Sequence, residues 1–143
     1  MMGLHLHMAI YKAFHAQKNK IRPGMAKIGL SPGQPKVLRH LALYDRCMQK
    51  DIAQALDIEP ATVSRLLNNM EQDELIVRAE SAERRRAESV SITEKGGAAL
   101  AEWTRICEDI EEQSLQGFTP EEREQFIDFL CRMYQNLTGK AME

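Results

Sequence analysis

The segment QKDIAQALDIEPATVSRLLNNMEQDELI, residues 49–76, predicts two helices joined by a tight turn. A short helix fits 49–56, and Asp57 suits the turn because Asp tolerates a left-handed backbone better than most residues. Pro60 suits the first position of a second helix that runs to about Asp73. Its inward stripe has i, i+3, i+4, i+7 spacing and comprises Val63, Leu66, Leu67 and Met70. This order predicts a helix-turn-helix, in which the first helix braces a second whose outer face can enter the major groove.

The outer face of the second helix carries short hydrogen-bonding side chains and one Arg, where a typical solvated helix has a mixture of Glu and Lys. Arg can bridge guanine O6 and N7, and Asn can bridge adenine N6 and N7. A solvated structural face is the alternative for this stripe taken alone. The candidate DNA-binding residues of the helix are Thr62, Ser64, Arg65, Asn68 and Asn69.

A charged segment, 80–88, lies between two β-like stretches, 75–79 and 89–92. Its centre holds three adjacent guanidinium groups, those of Arg84, Arg85 and Arg86. These groups repel one another, so a nearby polyanion would relieve a local cost, and Arg suits both the minor groove and phosphates. Such a run alone is usually a solvated loop. A recognition helix followed by a basic hairpin loop indicates DNA binding by both together.

Helices are predicted on both sides of this region, which gives a mainly α fold with a small β-hairpin wing (α+β). Residues 4–21 have helical apolar spacing, and Arg22-Pro23-Gly24 is expected to kink or break that helix. Ser31 is the expected N-cap of a helix ending near Tyr44, with Pro32 at its first position and Gln34 completing a capping box.

Two further helices are predicted after the hairpin. Thr93 can cap a long helix with an apolar stripe of Leu100, Trp103, Cys107 and Ile110. Thr119-Pro120-Glu121-Glu122 is a second capping box. It begins a last helix whose apolar residues are Phe126, Phe129, Leu130 and Met133.

Residues 30–96 resemble the core of MarR-family regulators. QKDIAQALDIEPATVSRLLNNMEQDELI is similar to that family's helix-turn-helix, and RAESAERRRAESVSITEKG to its wing and the start of a dimerisation helix. The resemblance implies one domain over 1–143, with a winged helix-turn-helix at about 31–93 between dimerisation helices at about 1–30 and 94–143. It also implies a triangular homodimer that binds an inverted-repeat operator in double-stranded DNA, as a repressor released by a small molecule.

The chain departs from the family pattern at four positions. Ser81 and Arg84 stand where two Asp usually flank the wing tip, so ion pairs that brace the wing are lost. Asp57 replaces a usual Gly before the recognition helix, and Met48 replaces a common capping Thr. We therefore expect a looser wing and a less firmly started helix over 49–56.

The resemblance further implies a small aromatic or anionic effector bound between the dimerisation helices and the winged region. Tyr11 and His15 share a helix face at i, i+4, and other aromatic residues fall on helices expected to border the same cleft. Core or surface filling is the alternative for each of them. The candidate effector-binding residues are Tyr11, His15, His40, Tyr44 and Trp103.

The cysteines favour a reduced, cytoplasmic protein, because the three are far apart and form no CxxC pair. Cys47 lies beside Arg46, which would lower the pKa of its thiol and allow a thiol role. The four His have no acidic or Cys partner at metal-ligand spacing, so we expect no metal and no cofactor. No apolar run approaches the roughly 20 residues that span a bilayer, so no membrane partner is expected.

The net charge of −2 conceals an uneven distribution. Residues 1–50 have nine basic residues and one acidic residue, whereas residues 101–143 have four basic and ten acidic. Because DNA responds to the docking face and not to the total, this charge does not exclude a nucleic-acid partner.

Two other classes of function are alternatives to DNA binding. One is a winged-helix dimer that has lost DNA binding and acts through a protein partner, which the intact basic wing argues against. The other is an enzyme, which is not expected because the sequence has no Ser/His/Asp, Cys/His or phosphate-loop arrangement.

Overall fold

The computed structural model describes residues 3–80 and 88–142. In chain order the elements are α1 (Leu6–Lys27), α2 (Gln34–Tyr44), β1 (Cys47–Met48), α3 (Gln49–Ala55), α4 (Pro60–Gln72), β2 (Ile76–Glu80), β3 (Glu88–Ile92), α5 (Glu94–Ser114) and α6 (Pro120–Thr138). The predicted mainly α fold with a small β component is confirmed. The chain forms two compact units that divide after Glu108.

The helix-turn-helix forms where the sequence predicts it. Asp57 adopts the expected left-handed backbone, with φ of 53°, and Pro60 begins α4. Val63, Leu67 and Met70 of α4 are fully buried, as is Ile52 of α3. At about 25 cal/mol per Å² of buried apolar surface, each such side chain contributes roughly 1.5–3 kcal/mol, which fixes α4 against α3.

The sheet has three strands in the order β1-β3-β2, and both pairings are antiparallel. The predicted hairpin strands correspond to β2 and β3, but the pairing of Cys47 with Val90 was not predicted. A strand of two residues is too short to show an alternating apolar pattern. The sequence also predicts Cys47 in a polar turn beside Arg46, which is wrong because Cys47 is a buried strand residue.

Helix α1 does not break at Pro23 but continues to Lys27. An interior proline removes one helical hydrogen bond and crowds the carbonyl four residues earlier, a cost that packing at the next residue can offset. A Cβ at Gly24 would lie 2.8 Å from Cδ1 of Ile106, so the glycine lets the α1 backbone approach α5. The predicted break at 22–24 is therefore wrong, and α1 extends to Lys27, beyond the predicted range of 4–21.

Helix α2 begins later than predicted. Its N-cap is Gly33, in a left-handed conformation with φ of 89°, and not Ser31. Gln34 still makes half of the expected capping box, because its Oε1 accepts from the Ser31 N–H at 3.0 Å. The left-handed Gly33 separates Ser31 from the helix, so the Ser31 hydroxyl does not cap it.

The start signals of the last two helices are confirmed. The Thr93 Oγ1 accepts from the N–H of Gly96 at 3.0 Å, which caps α5. Thr119 and Glu122 form a complete reciprocal capping box at the start of α6. Each cap satisfies backbone donors that a helix leaves unpaired at its N-terminus.

The core lies in the winged region, whereas every residue of α6 is exposed or half-buried. The apolar side chains of α6 nevertheless follow a helical stripe, comprising Phe126, Phe129, Leu130, Met133 and Leu137. Within residues 3–80 and 88–142, no helix combines the length and the apolar character that a membrane span requires.

Candidate nucleic-acid interface

The candidate residues of α4 lie opposite its buried stripe. Arg65, Asn68 and Asn69 are exposed, while Thr62 and Ser64 are half-buried. The buried residues on one side thus hold a polar, positively charged face toward solvent on the other. This is the division of an amphipathic helix, which packs on its own domain with one face and leaves the other available to a partner.

Ser64 is engaged by the neighbouring helix. The Nε2 of Gln49 donates to Ser64 Oγ at 2.6 Å, which ties the first residue of α3 to the first half of α4. Gln49 was not singled out from the sequence. Its position at the start of α3 gave no signal, because the contact depends on how the two helices pack.

Arg65 and Asn68 have different partners. Arg65 Nη2 is 3.5 Å from Thr62 Oγ1, a long contact within the same helix turn. Asn68 Oδ1 accepts from Arg78 Nη1 at 3.0 Å, which joins α4 to β2. Arg78 was also missed, although the alternation along β2 is a usable signal. Ile76 is buried and Val77 is 54% exposed, so Arg78 returns to the side of Ile76.

The stem of the wing is the antiparallel pair β2–β3, in register from Ile76↔Ile92 to Glu80↔Glu88. This stem leads directly from α4 into the charged segment. Arg84, Arg85 and Arg86 lie outside the described residues, so their role stays a prediction.

The proposed effector residues form two pairs and a separate Trp. The rings of Tyr11 and His15 are 4.4 Å apart on α1, and those of His40 and Tyr44 are 4.7 Å apart on α2. Trp103 is half-buried against the core.

A surface cavity of about 400 Å³ lies between the end of α1, the α4–β2 turn and the first half of α5. Lys27, Asp73, Lys95 and Glu102 line it, and the five candidate residues lie outside its lining. The structure thus places four of the five candidates in two pairs. A pocket that all five share stays a prediction.

Cys47 does not have the expected activated thiol. Burial raises the pKa of the thiol, and the carboxylates of Asp51 and Asp45 raise it further. The prediction that Arg46 lowers this pKa is wrong, because Arg46 is exposed and both burial and the acidic neighbours raise the pKa. A thiolate is the reactive form, so the environment of Cys47 disfavours thiol chemistry.

Comparison with known proteins finds one family and several solved structures that this chain is similar to. The family model described as "MarR family" matches residues 28–87, which contain the helix-turn-helix and strand β2 of the wing stem. A crystal structure of the Staphylococcus aureus MepR–DNA complex superposes with a TM-score of 0.86 at 26% identity, over 94% of this chain and 99% of that one.

Over residues 28–87 the chain is similar to the MarR family. Two more distant structures share its fold. The transcriptional regulator SlyA has 23% identity and a TM-score of 0.86, with 94% of each chain covered. Bordetella bronchiseptica BpsR has 22% identity and a TM-score of 0.80, over 90% of this chain and 98% of that one.

The similarity to the MarR family makes two departures of this chain from the family pattern interpretable. Asp57 takes the left-handed backbone that the turn requires despite replacing Gly. Met48 is the N-cap of α3 without a side-chain cap, as its side chain dictates. The helix-turn-helix therefore forms without two of the usual family residues.

Proposed function

We propose that this chain is a sequence-specific DNA-binding transcription regulator, a repressor that a small aromatic or anionic effector releases from its operator. It binds an inverted repeat as a homodimer, with α4 in the major groove and the wing on the minor groove or phosphates. The observation that carries this proposal is that α4 has one buried apolar face and one exposed polar face. Val63, Leu67 and Met70 are 0% exposed, and Arg65 and Asn69 face solvent.

The relatives support two parts of this proposal. MepR has been solved as a complex with DNA, and the DNA binding of BpsR is regulated by 6-hydroxynicotinic acid. The exposed apolar stripe of α6 supports the homodimer, because monomeric proteins rarely expose a contiguous apolar face.

Selection from random duplexes tests the proposed function with the intact chain. We expect enrichment of an inverted repeat whose half-sites are about 10 base pairs apart, since protein and operator share a two-fold axis. The logarithm of the binding constant should fall linearly with the logarithm of the salt concentration. Binding that enriches no sequence would favour the protein-interaction alternative.

The wing should supply affinity without sequence preference. Replacing Arg84, Arg85 and Arg86 together with Ala should weaken binding to every duplex, and flatten the salt dependence by roughly one unit of slope for each phosphate that is no longer neutralised. Titrations at several salt concentrations, with operator and unrelated DNA, measure both effects. Weaker binding to the operator alone would contradict this role.

Arg65 should read bases. Arg65→Ala should weaken operator binding by about 1–3 kcal/mol and relax the preference at one position of each half-site. Arg105→Ala, which removes an exposed Arg of α5, is the matched control. Equal losses on operator and unrelated DNA in Arg65→Ala would assign Arg65 to the phosphates.

The effector should be detectable through Trp103, the only Trp in the chain. A benzoate or phenol that binds near α2 and α5 should change its fluorescence saturably and weaken operator binding. A coupling of about 1–3 kcal/mol is typical, and the operator must weaken effector binding by the same factor. If a broad panel changes neither Trp103 fluorescence nor operator affinity, regulation by such compounds is wrong.

A further inference from the structure

The hydrogen bond between Arg78 and Asn68 fixes which way the Asn68 amide points. Arg78 Nη1 lies 3.0 Å from Asn68 Oδ1. The two ends of an amide look alike to most structural methods, but a guanidinium group has only donors. The end that faces Arg78 must therefore be the carbonyl oxygen, and the NH2 group must face away from Arg78.

This orientation changes what Asn68 can read. Paired bidentately with adenine, an Asn turns its oxygen to N6 and its nitrogen to N7 together. Here Arg78 takes up one lone pair of the oxygen on the β2 side, and the two N–H donors at the other end of the exposed amide are left for a ligand. Base edges that carry acceptors in the major groove are guanine O6 and N7, adenine N7 and thymine O4, whereas cytosine presents a donor.

We propose that Arg78 is a positioning residue that makes Asn68 a donor-only contact to an acceptor-bearing base edge. This inference rests on the proposed DNA-binding function and goes beyond it. It assigns a specificity role to a strand residue outside the recognition helix, and it replaces the adenine pairing expected of an Asn at position 68. The contact between Gln49 and Ser64 does not fix the orientation of the Gln49 amide in this way, because a hydroxyl group can donate or accept.

Asn68→Asp separates the two functions of the amide. The carboxylate keeps an acceptor for Arg78, and charge strengthens that hydrogen bond, so the fold should be retained. Both donors are removed, and the remaining oxygen can accept only from a donor such as cytosine N4. We expect roughly tenfold or greater loss of affinity for the selected operator, and a change of preference at one base pair of each half-site toward cytosine.

Asn69→Asp is the matched control, since it places the same charge on the neighbouring exposed residue of α4. Both variants are repelled by phosphates, so only the base position whose preference changes distinguishes them. Arg78→Lys and Arg78→Met form a second pair. Lys retains a donor for Asn68 and should keep the wild-type preference, whereas Met should relax it toward adenine.

The measurement is base preference by duplex selection with the full-length wild type and the four variants. Changed preference at one base pair in Asn68→Asp and Arg78→Met, with that base pair unaffected in Asn69→Asp and Arg78→Lys, supports the inference. An unchanged profile in Asn68→Asp, with specific binding by the wild type, overturns it and leaves the proposed function intact. A wild type that selects no duplex overturns both.

Discussion

Replacing Phe129 with Glu is expected to abolish the proposed homodimer and, with it, high-affinity operator binding. Phe129 is 56% exposed on the apolar stripe of α6, and Phe126 is 46% exposed on the same stripe. A second copy of the chain that covers this stripe would bury both rings. Aromatic side chains at the centre of an interface usually dominate its free energy.

The expected effect is large because a two-fold interface contains the substitution twice. In each copy the aromatic ring would be replaced by a carboxylate that must be buried without a partner. A destabilisation of about 4 kcal/mol corresponds to a roughly thousandfold weaker dimer. Light scattering at micromolar concentration should then report monomers, and each monomer could hold only one half-site of the operator.

Gln135→Glu is the control for this variant. Gln135 is exposed on the opposite side of α6 and receives the same negative charge. It should remain dimeric and bind the operator like the wild type. If Phe129→Glu also remains dimeric, α6 does not form the interface. A wild type that is monomeric at micromolar concentration would contradict the homodimer itself.

The elements that the sequence predicts well are those fixed by local chemistry. Thr93 and Thr119 mark helix starts because their side chains cap donors only three residues away. Asp57 marks the turn because few residue types tolerate its backbone. The buried stripe of α4 follows from helical periodicity alone, and the structure buries Val63, Leu67 and Met70 as expected.

The missed features depend on contacts between distant parts of the chain. Strand β1 has two residues and exists because Cys47 pairs with Val90, 43 positions later, which no local pattern encodes. Helix α1 continues past Pro23 because Gly24 packs against Ile106. This tertiary contact outweighs the tendency of proline to break a helix. The sequence pattern shows the proline but not the contact.

The candidate interface likewise has one part that the sequence predicts and one part that it does not. The residue types on the outer face of α4 could be predicted, because helical spacing places Arg65, Asn68 and Asn69 opposite the buried stripe. Their hydrogen-bond partners could not, because Arg78 reaches Asn68 only after β2 packs beside α4. Sequence patterns thus indicate what a face carries, and the fold decides which atoms remain available to a ligand.

Gly96→Ala is expected to be strongly destabilising, although alanine is the better helix former. Gly96 is buried in the first turn of α5, where a Cβ would collide with the backbone oxygen of Leu75 and lie 2.9 Å from Cγ1 of Ile92. The Leu75 oxygen also accepts from the N–H of Thr93 at 3.1 Å, so it is held in place. The collision cannot be relieved by turning a side chain, and α5 would have to move away from the start of β2.

Gly97→Ala is a control of the same chemistry one residue later. A Cβ at Gly97 meets no atom within 4 Å among the described residues, so the methyl group enters open space. Alanine then loses less backbone entropy on folding, and the variant should be more stable by about 0.5–1 kcal/mol.

The two glycine variants should therefore shift stability in opposite directions. Overpacking typically costs 1–3 kcal/mol and more where only backbone can yield, so we expect Gly96→Ala to lose about 3 kcal/mol. Urea unfolding followed by circular dichroism, at one protein concentration because a dimer's stability depends on it, measures both. At about 3–5 °C per kcal/mol, Gly96→Ala should unfold roughly 10 °C below the wild type. If both variants are stabilised, the α5 backbone does not lie against Leu75.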